Sequence, residues 1–218
     1  KKGTLVSYLV TGDVGGSIYT FSKGSKNAEL VATTPLTELT LSYGGDTLFA
    51  TSKPSAYMIG QTVRIPSFEF TLGDKTGLMS NPGESGMFIA SMWSNSGLKT
   101  FLSLYGKQVV LSIATLANKC AWGDKNYIVC SVPKTLSRKV EGLPDDWFQG
   151  RVSFNDTLVL VDSKNAEIYP LYTFNTPNKL SFDVTNISVS ENNVYISFIR
   201  KQDSSLWLLD TTLIEGGE

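Results

Sequence analysis

The residues best placed to do chemistry in this 218-residue sequence are two adjacent carboxylates, Asp145 and Asp146, between Pro144 and the aromatic pair Trp147-Phe148. Acid–base hydrolysis needs two carboxyl groups that face a substrate from opposite sides. Neighbours in sequence rarely do that, so the pair reads as a turn, with Asp145 capping the chain after Pro144. Calcium would need several oxygen ligands at short spacing, and no Asp-x-Asp-x-Asp run is present. Ser96-Gly97-Leu98-Lys99 spells the S-x-x-K of serine–lysine enzymes, but that spacing has meaning on a helix. Here Gly97 and its polar neighbours read as a loop, and the match is chance. The sequence has no histidine. Ser-His-Asp and Cys-His catalysis, His-ligated zinc and His-ligated haem are therefore excluded from this chain. Two cysteines cannot build a four-cysteine metal site. Neither a cofactor nor a metal is expected.

Cys120 and Cys130 flank a short hairpin. If Asp124-Lys125-Asn126 is a three-residue loop with Asn126 in the left-handed region, Gly123 faces Tyr127 and Cys120 faces Cys130. Directly opposed cysteines at a non-hydrogen-bonded pair come near bridging distance. Two buried thiols acting as small apolar residues are the alternative. Of the four tryptophans, Trp122 and Trp207 lie on strands and read as core. Trp93 precedes the polar loop Ser94-Asn95-Ser96-Gly97, and Trp147 sits in a loop segment. Aromatics on loops are the better binding candidates. The candidate binding set is therefore Trp93, Asp145, Asp146, Trp147 and Phe148, with pinning of the loop segment as the other role open to Trp147 and Phe148. Asn155-Asp156-Thr157 and Asn186-Ile187-Ser188 match the glycosylation acceptor by pattern only.

The elements that must position these residues are strands. Val, Ile, Tyr, Phe and Leu come in runs of five to eight, separated by Gly, Ser, Thr and Asn, with no long Ala/Leu/Glu/Lys runs. Thr185–Ile199 followed by Ser205–Asp210 reads strand, tight turn, strand, loop, strand. Worn copies of its first turn recur at Ser42-Tyr43-Gly44-Gly45-Asp46, Ser80-Asn81-Pro82-Gly83 and Trp122-Gly123-Asp124. Aligned on Ser42, Ser80, Trp122 and Ser190, the steps are 38, 42 and 68 residues. The first two match a four-stranded propeller blade. The excess in the third falls at 133–150, an inserted loop with two prolines and one short helical turn at Pro144–Phe148.

Five units are detectable, the first lacking its opening strand and the last its outer strand. Repeats of this kind bury their apolar faces only against neighbouring copies. The expected fold is all-β: one β-propeller domain over 1–218, with about five detectable blades of a six- or seven-bladed ring. A β-sandwich with regularly spaced strands is the alternative. The formal net charge is −1 with no basic stripe, so no nucleic-acid partner is expected. No apolar run is long enough to span a membrane. The opening Lys1-Lys2-Gly3, without Met, reads as a mature or trimmed product.

The last unit, Val189-Ser190-Glu191-Asn192-Asn193-Val194-Tyr195-Ile196-Ser197-Phe198 and then Leu206-Trp207-Leu208-Leu209-Asp210, resembles the TolB-type, WD-repeat-like β-propeller repeat. Leu143–Gly150 is similar to a stretch in uncharacterised bacterial surface propellers, often membrane-anchored. The resemblance implies a propeller at the cell surface, outside the cell or in the periplasm, and no particular activity. The expected function is a non-catalytic interaction scaffold for a protein or surface polymer, not an enzyme. The rival is a glycan-binding or glycan-hydrolysing propeller using Glu38, Asp46, Glu84, Asp124, Asp183 and Glu191 around a central channel.

Overall fold

The computed structural model describes residues 5–124, 127–136, 140–175 and 180–214. They form five antiparallel sheets in chain order. The first holds β1 (Leu5–Gly12), β2 (Gly15–Ser22) and β3 (Glu29–Thr34). The second holds β4 (Leu39–Gly44), β5 (Thr47–Ser52), β6 (Ile59–Ile65) and β7 (Glu69–Thr76). The third holds β8 (Met79–Pro82), β9 (Phe88–Ser94), β10 (Gly97–Leu104) and β11 (Lys107–Val110). The fourth holds β12 (Cys120–Trp122), β13 (Tyr127–Pro133), β14 (Asp156–Asp162) and β15 (Ile168–Thr173). The fifth holds β16 (Val184–Val189), β17 (Tyr195–Arg200) and β18 (Ser205–Asp210). Each sheet pairs its strands in sequence order, the meander of a propeller-like arrangement. The first and last sheets are the two that carry three strands, as the repeat pattern implies. A four-residue α-helix, α1 (Asp145–Phe148), occupies the expected helical turn. Among the described residues no helix is long and apolar enough to cross a membrane.

Successive residues of a strand point to opposite faces of its sheet, so a strand between two neighbours must be apolar on both. Strand β9 shows this. Phe88 and Ala90 pack with Phe49 and Leu72 of the second sheet, while Ile89 packs with Ile128 and Cys130 of the fourth. Strand β13 repeats it, with Val129 facing Ile196 and Phe198 of the fifth sheet. The first and second sheets share Ile18, Leu48, Ala50 and Ile65. Four apolar seams therefore join five sheets, and the core lies in the seams.

Three of the four recurrent turns hold a residue with positive φ: Gly45 at 62°, Ser85 at 57° and Asn193 at 58°. Gly and Asn tolerate that region best. In the fourth turn, Lys125 and Asn126 lie outside the described residues. One turn is displaced from its expected place. Ser80-Asn81-Pro82 continues β8, with Asn81 opposite Ile89 and Pro82 opposite Phe88, and the reversal comes at Glu84–Gly86. Strand β8 is an edge strand, where proline leaves no ladder bond broken.

Candidate functional site

The four turns meet at one end of the sheets, around an open cleft of about 1040 Å³. Tyr43 comes from the second sheet, Glu84 from the third, Trp122 and Asp124 from the fourth, and Ser190 and Glu191 from the fifth. The sheets approach closely here because small residues allow it. A Cβ on Gly44 would overlap the carbonyl oxygen of Gly83, and one on Gly83 would lie 2.5 Å from the Trp122 ring. Side-chain hydrogen bonds tie the walls together: Asn81 Nδ2 donates to the Cys120 backbone carbonyl at 2.6 Å, Trp122 Nε1 donates to the Asn81 backbone carbonyl at 3.2 Å, and the Asp124 backbone amide donates to Asn193 Oδ1 at 2.8 Å. Tyr43 is held by its hydroxyl against Ser7 Oγ, 2.7 Å away. Under this wall Cys120 and Cys130 are opposite one another, Cα atoms 4.0 Å apart, and bonded as a disulfide. The Gly123 amide donates to the Tyr127 carbonyl at 2.8 Å, the register that brings the cysteines together. Glu84, Asp124 and Glu191 are exposed, and the described lining has no Lys or Arg. The cleft therefore presents rigid aromatic and backbone walls with a negative rim.

The opposite end is closed by the segment joining β13 to β14. Its Leu143, Trp147 and Phe154 pack with Met79, Leu98, Leu116 and Ala117, and Trp93 lies partly buried against them. Beneath it Lys119, fully buried, sits 2.8 Å from Asp156 Oδ2 and 2.5 Å from Asp183 Oδ1. Asp183 also accepts from Trp147 Nε1 at 2.9 Å, Ser153 Oγ at 3.2 Å and the Phe154 amide at 3.1 Å. The Lys119 ammonium stands 5.2 Å from the Trp147 ring centre and 5.0 Å from that of Phe154, cation–π geometry in both cases. Lys201 Nζ lies over the same indole and donates to the Trp147 carbonyl. Burial raises the Asp156 carboxyl above its usual range, against the opposing pull of Lys119, and burial lowers the Lys201 ammonium.

The binding candidates fall at this closed end, and the structure brings four of them into protein contacts. Asp145 Oδ2 accepts the Ala56 amide of the β5–β6 connection at 2.6 Å. Asp146 Oδ2 accepts the Glu141 and Gly142 amides at 2.8 and 2.9 Å, tying the turn ahead of α1, and no side chain caps that helix, the role expected of Asp145. These amide bonds, the one from Gly142 foremost, hold the Asp146 carboxyl below the usual range despite its burial. Trp147 pins the segment over the ionic cluster. Phe148 is exposed, its ring 5.3 Å from that of Trp147. Sequence reading missed Lys119 and Asp156, and it placed Asp183 in the channel. The one signal available was a lone lysine directly before the apolar Cys120-Ala121-Trp122, and nothing in sequence order shows Asp156 of β14 and Asp183 beside β16 converging on it.

No family model matches the sequence, and no curated protein does either. Solved structures do match. Hydrazine synthase of Kuenenia stuttgartiensis aligns with a TM-score of 0.61 at 12% identity, over 99% of this chain and 65% of that one. An uncharacterized protein of Listeria monocytogenes aligns with a TM-score of 0.54 at 11% identity, over 94% and 58%. The acylaminoacyl peptidase of Pyrococcus horikoshii aligns with a TM-score of 0.59 at 12% identity, over 95% and 36%. The likeness is one of fold. The chain spans less than two thirds of each of these structures.

These matches overturn the expectation of a non-catalytic scaffold and the expectation that the chain is no enzyme, because the same fold occurs in a peptidase and in a synthase. The absence of histidine limits the side chains of these 218 residues. It carries no weight for a polypeptide of which a propeller-like part is one portion. The carboxylates that a glycan site would use divide between the cleft and the rest of the molecule. Glu84, Asp124 and Glu191 rim the cleft, Asp183 is buried at the far end, and Glu38 pairs with Lys53 on the surface.

Proposed function

We propose that this chain is the substrate-admitting propeller of an exported, peptide-processing enzyme, with the bond-breaking groups on another part of the same protein. One observation carries the reading: the cleft is open at the turn end while the 140–154 segment seals the other end. A one-ended recess with rigid walls holds a chain end better than it passes a chain through. Backbone groups and the Trp122 ring suit an extended peptide, and the rim of Glu84, Asp124 and Glu191 disfavours anionic ones. The acylaminoacyl peptidase supplies the precedent of the same fold in an enzyme that acts on peptides. In this reading the repeats are of TolB type, the ring has six or seven blades, and the disulfide belongs to an oxidising compartment.

The test is equilibrium binding of N-blocked tripeptides to the chain, followed by tryptophan fluorescence. Neutral and basic peptides are expected to bind, with binding weakened by Trp122→Ala and by Glu84→Lys with Glu191→Lys while circular dichroism stays unchanged. No binding at millimolar peptide, or equal binding by all variants, overturns the reading.

A further inference from the structure

The side chains of Lys119, Asp156 and Asp183 have no exposed surface. Among the described residues Lys119 is the one lysine buried to this degree. It leads into β12, and Asp183 precedes β16, 64 residues further along the chain. Taking an ammonium and a carboxylate out of water costs much of what their attraction gives. An amide made from the same two groups carries no charge and escapes that cost.

The two groups are in contact, with Lys119 Nζ 2.5 Å from Asp183 Oδ1. The other oxygen of that carboxyl, Oδ2, accepts Trp147 Nε1 at 2.9 Å, the Phe154 backbone amide at 3.1 Å and Ser153 Oγ at 3.2 Å. Trp147 Nε1 also lies 3.0 Å from Oδ1. Three donors converging on Oδ2 suit the oxyanion that forms when a nucleophile adds to a carboxyl carbon. A further group stands on the nucleophile itself: Asp156 Oδ2 is 2.8 Å from Nζ. That oxygen also accepts the Val184 backbone amide at 2.8 Å and Ser131 Oγ at 3.3 Å. Asp156 Oδ1 is buried with no hydrogen-bond partner. Burial raises this carboxyl above its usual range, which makes it a stronger base than an exposed aspartate. The rings of Trp147 and Phe154 cover the ammonium, and a dry site opposes the reverse hydrolysis.

We propose that Lys119 and Asp183 condense after folding into an intramolecular isopeptide bond, with Asp156 as the catalytic residue that carries the proton. The ion pair described above is the state before reaction. The Lys119 ammonium has three protons. One passes to Asp183 Oδ1 across their hydrogen bond, and one passes to Asp156 Oδ2. The freed lone pair on Nζ adds to the Asp183 carboxyl carbon, and the charge on Oδ2 is met by Trp147, Ser153 and Phe154. Oδ1 then takes the second proton from Asp156 and leaves as water with the electron pair of its C–O bond. The third proton stays on the amide nitrogen. Asp156 ends as it began, and no further reactant is consumed. The bond ties the fourth sheet to the fifth. It is independent of the peptide cleft, which lies at the other end of the sheets.

The experiment is tryptic peptide mapping of the unmodified full-length protein after reduction of the disulfide, with the intact mass measured alongside. The expected product is a branched peptide in which residues 108–125 and 180–200 are joined through Lys119 and Asp183, uncut after Lys119. Its mass is the sum of the two peptides less one water. In Asp156→Asn, sampled at the same intervals after synthesis, bond formation is expected to slow by about a hundredfold or more, with circular dichroism unchanged. Complete cleavage after Lys119 in the folded wild-type protein, with recovery of the linear 180–200 peptide, overturns the proposal. Equal bond formation in a folded Asp156→Asn overturns it as well, because the carboxyl then has no part in the reaction. If that variant fails to fold, the wild-type map decides, since it needs no substitution.

Discussion

The two ends of the sheets solve the same geometric problem in opposite ways. At the turn end the sheets approach through glycines and amide side chains, a disulfide lies below, and the charged groups stay in water. At the other end Lys119, Asp156 and Asp183 are all fully buried, with Trp147 as a lid. A buried ion pair gives little net stability compared with an apolar filling, but breaking one is costly because the remaining charge has no partner. The closed end is therefore brittle to single substitutions and specific in where it holds the 140–154 segment. The open end is tolerant, and it is the end with room for a ligand.

Asp183→Ala breaks this comparison most directly. It removes one of the two carboxylates on Lys119, Asp156 remaining, and with it the acceptor of Trp147 Nε1, Ser153 and the Phe154 amide. The expected loss is about 3–5 kcal/mol in urea unfolding. A loss below about 1 kcal/mol would show that the ionic cluster does not hold the closed end.

The open end has a covalent counterpart. Replacing both Cys120 and Cys130 by Ala is expected to cost about 2–3 kcal/mol, the range for a bridge that closes a short loop. Peptide binding should weaken as well, because the bridge holds the strand whose Cys120 backbone carbonyl accepts from Asn81 Nδ2. The same unfolding assay, with and without reductant, reads the first effect in the unsubstituted chain. Stability unchanged by reductant would mean that the glycine contacts alone fix the wall.

Acid separates two carboxyls of the closed end by sign. The Asp146 carboxyl is held below its unfolded value, so it contributes stability that is present above the ordinary carboxylate pKa of about 4 and is lost as pH falls through the lowered folded value. Asp156 runs the other way. Its raised folded pKa makes ionisation a cost that sets in as pH rises above the unfolded value, so acid relieves it. Asp146→Asn should therefore flatten the loss of stability below pH 4, and Asp156→Asn should steepen it. Thermal unfolding followed from pH 7 to pH 2.5 checks both signs.

Much of this fold was legible because the repeat is written in turns. Gly45 and Asn193 mark positions where positive φ is needed, and strand alternation between them fixes the register. Hairpin geometry placed Cys120 opposite Cys130 and left a bridge and two buried thiols both open; the structure has the bridge. The proline in β8 misled by one turn, since a Pro-Gly pair reads as a reversal until the strand is known to be an edge. The closed end was not legible. Lys119 leads into β12, Asp156 opens β14 and Asp183 precedes β16, and only the packing of the fourth sheet on the fifth makes them one cluster. The cleft was half legible: three of its rim carboxylates were named, while its walls are built from backbone and glycine, which leave no chemical signature in a sequence.

The smallest expected effect belongs to the rim of the cleft. Glu84 and Glu191 are exposed, on turns, in a lining that holds no positive side chain among the described residues. Changing either to Gln removes a charge without altering packing, and exposed sites of this kind change stability by less than about 0.5 kcal/mol. Their mutual field is another matter, since like charges around a recess with low-dielectric walls reinforce one another. The double variant Glu84→Gln with Glu191→Gln is therefore expected to leave the urea midpoint in place, while reducing the preference for basic over acidic peptides and the salt dependence of that preference. Titrating one basic and one acidic tripeptide at low and high salt gives four binding constants. A stability loss comparable with that of Asp183→Ala would show that the open end is as tightly coupled as the closed one, and the contrast between the two ends would fail.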